Sequence, residues 1–258
     1  MLLFALVCTR SHGLKNCVRS ITGLEYAYIY TKLMAANLLA DAPTRKIMDE
    51  SIVAHFNDGL FMYFSKEETI INGYDEPEGI YLIKSGFIKA YSISKAGQGN
   101  LLSIHEAGEF IPLPWALDGA HTTGLFYEAM TDVTVLRASK AKLRTAMGKN
   151  TWLSQEVLKQ TVNIITLYTQ RIQTLEFRSA RERIISELLH LAERFGKSQG
   201  TEILIYAPIT HQDIADSINM TRETASRALE LLFEEGLVGQ KDHLFTVLDL
   251  PKLQMALS

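Results

Sequence analysis

Cysteine is nearly missing: Cys8 and Cys17 are the only two in 258 residues, which excludes a disulfide framework and points to a reducing compartment. Two thiolates also fall short of the four that usually hold an iron–sulfur cluster. No apolar run approaches the ~20 residues needed to span a bilayer. The apolar start, MLLFALVC, has no basic flank and no small-residue cleavage site after it, so it does not read as a secretory signal. These absences predict a cytoplasmic protein with no membrane partner. A charge excess is missing as well. The net charge is −3, so attraction to nucleic acid has to come from a local patch of cations. The signatures of catalysis are also absent. There is no phosphate loop, no zinc-spaced His/Cys cluster and no nucleophile elbow, and seven histidines are scattered without motif spacing. We therefore expect a protein that is not an enzyme and holds no metal.

What remains is an ordinary globular chain, 47% hydrophobic and 21% charged, long enough to bury a core without covalent staples. Residues 1–33 look unrelated to the rest and are expected to form a poorly ordered extension, with Met34 as an alternative natural start. Residues 35–60 are helical in tendency, with Ile47, Met48, Ile52, Val53 and Phe56 at near-helical spacing and Gly59 as a stop. The texture then changes. Strands are predicted at 69–71, 79–84, 87–94, 100–106, 126–129 and 132–137. Turn signals lie at Asn72-Gly73, Ser85-Gly86, 96–99 and Asp118-Gly119. Short strands at close spacing with glycine turns suggest a β-sandwich or barrel. The run Ile80-Tyr81-Leu82-Ile83 is apolar on both faces, as a fully buried strand requires.

From residue 140 the pattern returns to helix. A short helix is predicted at 140–147. A long one follows at 151–178, with no Gly or Pro. Leu158, Thr161, Ile165, Tyr168, Ile172 and Leu175 alternate spacings of three and four, a coiled-coil seam, and Ile164 and Leu167 widen it. Such a stripe packs either on its own domain or on a second copy of the chain, and spacing alone does not choose. A third helix at 180–195 carries Ile184, Ile185, Leu188, Leu189 and Leu191 on one side and ends at Gly196.

Residues 210–248 carry the functional signal. Thr210 reads as an N-cap with Asp213 three residues on, a capping-box spacing. The helix 212–218 would bury Ile214, Ala215 and Ile218. After the turn Asn219-Met220, Thr221 caps a second helix over 222–235, closed by Gly236, with Ala225, Ala228, Leu229, Leu232 and Phe233 as its apolar face. Two short helices, a tight turn and alanines at the contact make a helix-turn-helix. Off the apolar face, the first two turns present Arg222, Glu223, Ser226 and Arg227. Arginine donates bidentately to guanine O6 and N7, and glutamate accepts from cytosine N4, so these four are the candidate base readers. Thr210, His211, Gln212, Thr221 and Thr224 are the candidate backbone contacts. Leu237-Val238, the polar turn Lys241-Asp242-His243 and 244–248 read as a strand pair, a wing.

The segment ITHQDIADSINMTRETASRALELLFEEGLV resembles the winged helix-turn-helix of the cyclic-AMP receptor protein and fumarate–nitrate regulator superfamily (Crp/Fnr) of bacterial transcription regulators. The block FSKEETIINGYDEPEGIYLIKSGFIKAYSISKAGQGNLLSIHEAGEF resembles that family's cyclic-nucleotide-binding β-roll, including its Y-L-I-x-x-G turn and its Gly-Glu step, here Gly108-Glu109. The resemblance implies an α+β chain with this organisation: extension 1–33, sensor β-roll (jelly roll) with flanking helices 34–148, dimerisation helix 149–178, and winged helix-turn-helix 179–258. It implies that the long helix is the interface of a homodimer and that Arg222, Glu223 and Arg227 read bases of double-stranded DNA. RNA polymerase is the implied further partner. Arg222-Glu223 with Arg227 is the reading set of the receptor-protein branch, and Glu223-x-x-Ser226-Arg227 that of the fumarate–nitrate branch. A TGTGA-like and a TTGAT-like half-site both stay open. From Arg178 onward there are nine Lys or Arg and twelve Asp or Glu, a net of −3, so non-specific DNA affinity should be weak and its salt dependence shallow.

The sensor departs from the cyclic-AMP-binding members. A cyclic nucleotide needs a cation for its phosphate, which the family supplies as an Arg about a dozen residues after the Gly-Glu step. This chain has no Lys or Arg from Ala96 to Leu136. The candidate effector pocket is Gly108, Glu109, Phe110, Trp115, His121, Thr122 and Thr123. Burying a phosphate against Glu109 without a cation is costly, so the reading is against cAMP. Haem, with His105 and His121 as its candidate ligands, is disfavoured too. No cofactor is expected, and a small effector of unknown identity stays open. The competing reading of the whole chain is a cyclic-nucleotide-type regulatory protein that shares only the β-roll and acts on a protein partner. The helix-turn-helix separates the two.

Overall fold

A computed structural model describes residues 59–95, 97–118, 124–177 and 179–257. The expected N-terminal extension, residues 35–58 of the stretch read as helical over 35–60, both cysteines and three of the pocket residues (His121, Thr122 and Thr123) lie outside the described residues; Leu60, the end of that stretch, begins a strand instead.

Eight strands build the sensor domain: β1 (Leu60–Phe64), β2 (Thr69–Ile71), β3 (Ile80–Ser85), β4 (Phe87–Ile93), β5 (Gly99–Glu106), β6 (Phe110–Ile111), β7 (Phe126–Ala129) and β8 (Val133–Ala138). They form two antiparallel four-stranded sheets, ordered β1-β8-β3-β6 and β2-β7-β4-β5. Side chains alternate across a strand, and β3 shows why its run is apolar throughout. Tyr81 and Ile83 enter the core between the sheets with Ile71, Ile88, Tyr127 and Val135. Ile80 and Leu82 point the other way, into a second cluster with Leu113, Trp115, Leu143, Leu153 and Val157. The latter residues come from three helices, α1 (Leu113–Asp118), α2 (Lys140–Lys149) and α3 (Thr151–Phe177). The β3–β4 turn needs glycine: Gly86 sits at φ +88°, and a Cβ there would lie 2.4 Å from the Asp132 carbonyl oxygen.

The helix α3 is 27 residues long, about 40 Å at 1.5 Å per residue. Its packing refines the seam read from spacing. Leu158, Ile165 and Ile172 are exposed at 64, 59 and 64%, and Val162 joins them at 50%. Tyr168 and Leu175 turn inward instead: Leu175 packs against the C-terminal core, and Tyr168, half-buried, faces Ser103 on β5. Thr161 is half-buried and donates its hydroxyl back to the Val157 carbonyl at 2.9 Å. The uncovered stripe therefore runs 158, 162, 165, 172, rotated from the predicted one because the β-roll at Tyr168 and the C-terminal core at Leu175 take the neighbouring flank of the helix.

The C-terminal unit holds α4 (Ala180–Phe195), the hairpin β9 (Gly196–Gln199) and β10 (Glu202–Ile205), α5 (His211–Ser217), α6 (Arg222–Glu234), β11 (Val238–Lys241), β12 (Leu244–Val247) and α7 (Leu250–Met255). Its sheet is ordered β11-β12-β10-β9. The hairpin β9–β10 and the closing helix α7 were not predicted. A capping box of Ser179 and Glu182 opens α4. Glycine follows it because a Cβ on Gly196 would meet the Ala192 carbonyl oxygen at 2.0 Å. The core of this unit, with Ile184, Leu188, Phe195, Ile214, Leu229 and Phe245, is continuous with Leu101, Ile104 and Met130 of the sensor.

Candidate nucleic-acid interface

The reading surface is assembled by caps and one tight turn. Thr210 and Asp213 form the full capping box at the start of α5: the Thr210 side chain accepts from the Asp213 amide while the Asp213 side chain accepts from the Thr210 amide. The chain then turns through Asn219, at φ +52°, a conformation asparagine tolerates better than most residues. Thr221 accepts from the Thr224 amide and starts α6. Ala215 and Ala225 are fully buried where the two helices meet, and their small side chains allow the close approach.

On α6, burying Ala225, Leu229 and Leu232 forces the opposite side outward. Arg222 and Ser226 are one turn apart, as are Glu223 and Arg227, and these two rows adjoin. Arg222, Glu223 and Arg227 are exposed and Ser226 is half-buried. Among the described residues no salt bridge occupies either guanidinium. Thr210, Gln212, Thr221 and Thr224 are exposed at the two helix starts. Some already have intramolecular partners: the Thr210 hydroxyl donates to Asp213 at 2.6 Å and the Gln212 amide to Asp216 at 2.7 Å. The Thr221 and Thr224 hydroxyls are 3.0 Å apart. His211 differs from the expected exposed contact. Its Nδ1 lies 3.0 Å from Ser226 Oγ, and its ring stacks on Phe245 at 5.6 Å. Burial, and next the nearby Arg222 charge, hold its pKa below the usual histidine value, with Glu230 pulling the other way.

Two family models divide the chain as the structure does. A cyclic nucleotide-binding domain matches residues 61–150, and a Crp-like helix-turn-helix domain matches residues 182–256. The chain belongs to the Crp/Fnr superfamily of transcription regulators. The regulator is 27% identical over 192 residues to electron transport regulator A of Shewanella oneidensis, covering 74% of this chain and 75% of that one. It is 26% identical over 182 residues to the fumarate and nitrate reduction regulatory protein of Escherichia coli, covering 70% and 72%. Solved structures share the fold. FixK2 from Bradyrhizobium japonicum aligns with a TM-score of 0.65 at 22% identity, over 76% of this chain and 96% of that one. A CooA mutant from Carboxydothermus hydrogenoformans aligns with a TM-score of 0.72 at 22% identity, over 83% and 97%.

The regulator's Gly-Glu step is tied into the rest of the molecule. Gly108 takes φ +94°, and the main chain at 108 and 109 pairs with Ile83 of β3. Gln160 of α3 brackets the step, accepting from the Phe110 amide and donating to the Gly108 carbonyl, both at 3.0 Å. Both Glu109 oxygens accept from Arg194 of α4 at 2.9 Å. His105 Nδ1 is also 2.9 Å from Glu109, and its other ring nitrogen is 2.9 Å from Ser103. Tyr206 donates to Glu106 at 2.6 Å and packs with Phe87 and Phe195. Phe110 is buried. Trp115 is buried too, under the Lys140 ammonium, which lies 3.5 Å from its ring centre. Arg171 of α3 donates to the Leu102 carbonyl on β5 at 2.9 Å and to the Ser217 carbonyl at the end of α5, where the helix dipole is negative.

The sequence reading missed Gln160, Arg171, Arg194 and Tyr206. Arg194 and Glu109 are 85 residues apart, and no local pattern links them. Among the described residues no group of His, Cys, Asp and Glu could hold a metal, and no helix is long and apolar enough to cross a membrane.

Proposed function

We propose that this Crp/Fnr regulator works in the cytoplasm as a homodimer on a palindromic DNA site, reading bases with Arg222, Glu223, Ser226 and Arg227 and using no enzymatic step. The observation that carries the reading is the outward row of two guanidiniums and a carboxylate on a capped helix whose other side is buried. Leu158, Val162, Ile165 and Ile172 are the natural seam for a second copy, since they form an exposed apolar stripe at coiled-coil spacing on a long helix, and the family resemblance implies that the two copies of the helix run parallel. A two-fold dimer would set its recognition helices about 34 Å apart, one turn of DNA. RNA polymerase is the partner through which such a protein would act on transcription.

The sensor is proposed not to respond to cAMP. Glu109 is already matched with Arg194, and the strands and loop around it bring no further cation of their own between Ala96 and Leu136. A phosphate there would meet a carboxylate whose positive partner is spent. Haem is disfavoured because both His105 ring nitrogens are engaged within the protein. A small effector other than these remains compatible with the fold. Fluorescence anisotropy on palindromic TGTGA and TTGAT duplexes and a scrambled control tests the DNA reading. The proposal expects one palindrome to bind at least about 10³-fold more tightly than the control at physiological salt. Equal binding to all three would end it. Calorimetry with cAMP should give no saturable heat; micromolar binding would overturn the sensor reading.

A further inference from the structure

We infer that His211 fixes the Ser226 hydroxyl as a hydrogen-bond acceptor toward DNA, so that the base it meets is one with an exocyclic amino group, adenine or cytosine. The inference rests on the proposed base-reading role of α6 and adds a positioning residue from the other helix of the motif.

The geometry is specific. Ser226 sits on α6 one turn after Arg222, half-exposed on the reading side. Helical serines and threonines often donate back to the carbonyl four residues earlier, as Thr161 and Thr169 do on α3. Ser226 instead has His211 Nδ1 at 3.0 Å as its side-chain partner among the described residues. The imidazole cannot drift, because it is stacked on Phe245 at 5.6 Å and 27° and lies 6.5 Å from Phe233.

A hydroxyl has one proton and two lone pairs. If the proton points at Nδ1, the groove sees only lone pairs, which accept from adenine N6 or cytosine N4 and are repelled by guanine O6 and thymine O4. If Nδ1 carried a proton, the hydroxyl would accept from it, and its own proton would be free to seek guanine or thymine. Burial and positive potential around the ring keep it uncharged, so one ring nitrogen is a bare acceptor, and that nitrogen is assigned as Nδ1, the one that faces Ser226. The potential comes from Arg222, opposed in part by Glu230. The charges that act on His211 are Arg222 and Glu230, and with burial they leave the ring below its ordinary pKa, hence neutral at pH 7.

The test compares His211→Phe, His211→Asn, Ser226→Ala and the Ser226→Ala/His211→Phe double variant on a selected site and all its single-base changes. Phe keeps the stack without the acceptor, whereas Asn places an amide oxygen near the Nδ1 position. Ser226→Ala and His211→Phe should each erase about a fivefold preference for adenine or cytosine at the same single position. The double variant should do no more, and His211→Asn should restore the preference to within about twofold of wild type. Without DNA, the His211 Nδ1 resonance in nitrogen-15 NMR should report an unprotonated nitrogen and move in Ser226→Ala. The inference alone is overturned if Ser226→Ala changes preference at one position while His211→Phe weakens every sequence equally, or if Nδ1 is protonated. It is also overturned if the preference lost in Ser226→Ala is for guanine or thymine. If Ser226→Ala changes preference nowhere while Arg222→Ala and Arg227→Ala do, the role of Ser226 falls and takes the inference with it. If none of the three changes preference, the reading face itself is wrong.

Discussion

Replacing Arg194 with methionine should loosen the DNA-binding unit from the sensor. The Arg194 guanidinium donates to both Glu109 oxygens at 2.9 Å, and the side chains are only 21 and 20% exposed. A fully buried pair loses roughly 3–5 kcal/mol when one member is removed. Partial exposure lets water re-solvate the orphaned Glu109, and the nearby His105 offers some compensation, so about 1–3 kcal/mol is the working figure. Pairing Arg194→Met with Glu109→Gln should recover part of that, because neither variant side chain leaves a buried charge. A double-mutant cycle by urea denaturation should therefore give a coupling of about 1–2 kcal/mol. Hydrogen exchange should rise together at β5 and α4 in the single variant, since the core there is shared by both units. Additive single effects, or faster exchange in α4 with β5 unchanged, would refute the idea that this pair joins the domains.

Acidification offers an independent probe. Burial lowers the His190 pKa to about 4; Glu187 opposes the shift, while Arg194 and Arg171 add to it. The unfolded chain takes up this proton near pH 6.5 and the folded one only near 4, so stability falls as pH drops through that window, by roughly 3 kcal/mol. His190→Leu should flatten this slope in a pH series of denaturation curves, and an unchanged slope would contradict the burial argument. Arg227→Ala should cost about 1–3 kcal/mol on the cognate site, with relaxed preference at the base it reads, whereas Thr224→Ala should weaken all sequences alike in anisotropy titrations. Ile165→Glu with Ile172→Glu should yield a monomer by sedimentation and lower affinity for a palindrome, because both side chains lie on the uncovered stripe. Leu229→Ala, at a fully buried position between the helices, should cost about 2–5 kcal/mol in thermal or urea unfolding.

The helix-turn-helix was legible because its signals are local. Caps at Thr210 and Thr221, a turn at Asn219-Met220 and an apolar face with period 3.6 all lie within 30 residues, and each appears as read. Six of the eight β-roll strands were legible for the same reason, β1 and the two-residue β6 were not, and the doubly apolar run in β3 correctly announced burial on two sides. What escaped was set by packing between distant parts. The hairpin β9–β10 pairs a nearly all-exposed polar strand with a half-buried one, so no two-residue alternation marks it. The α3 seam was visible as a stripe, but its rotation depends on which flank the β-roll and the C-terminal core cover, and Tyr168 and Leu175 carry no sign of that in their spacing. Arg194 looked like a solvated charge at the end of an amphipathic helix. Only the fold delivers it to the Gly-Glu step.

The claim on which the rest depends is that two copies of α6 read the edges of base pairs in register. Selecting bound sequences from a random duplex pool tests it most directly. The account predicts enrichment of an inverted repeat whose half-sites lie one helical turn apart, with the motif blurred at one position of each half in Arg227→Ala. A pool that enriches nothing, or a single unrepeated element bound by a monomer, would contradict it.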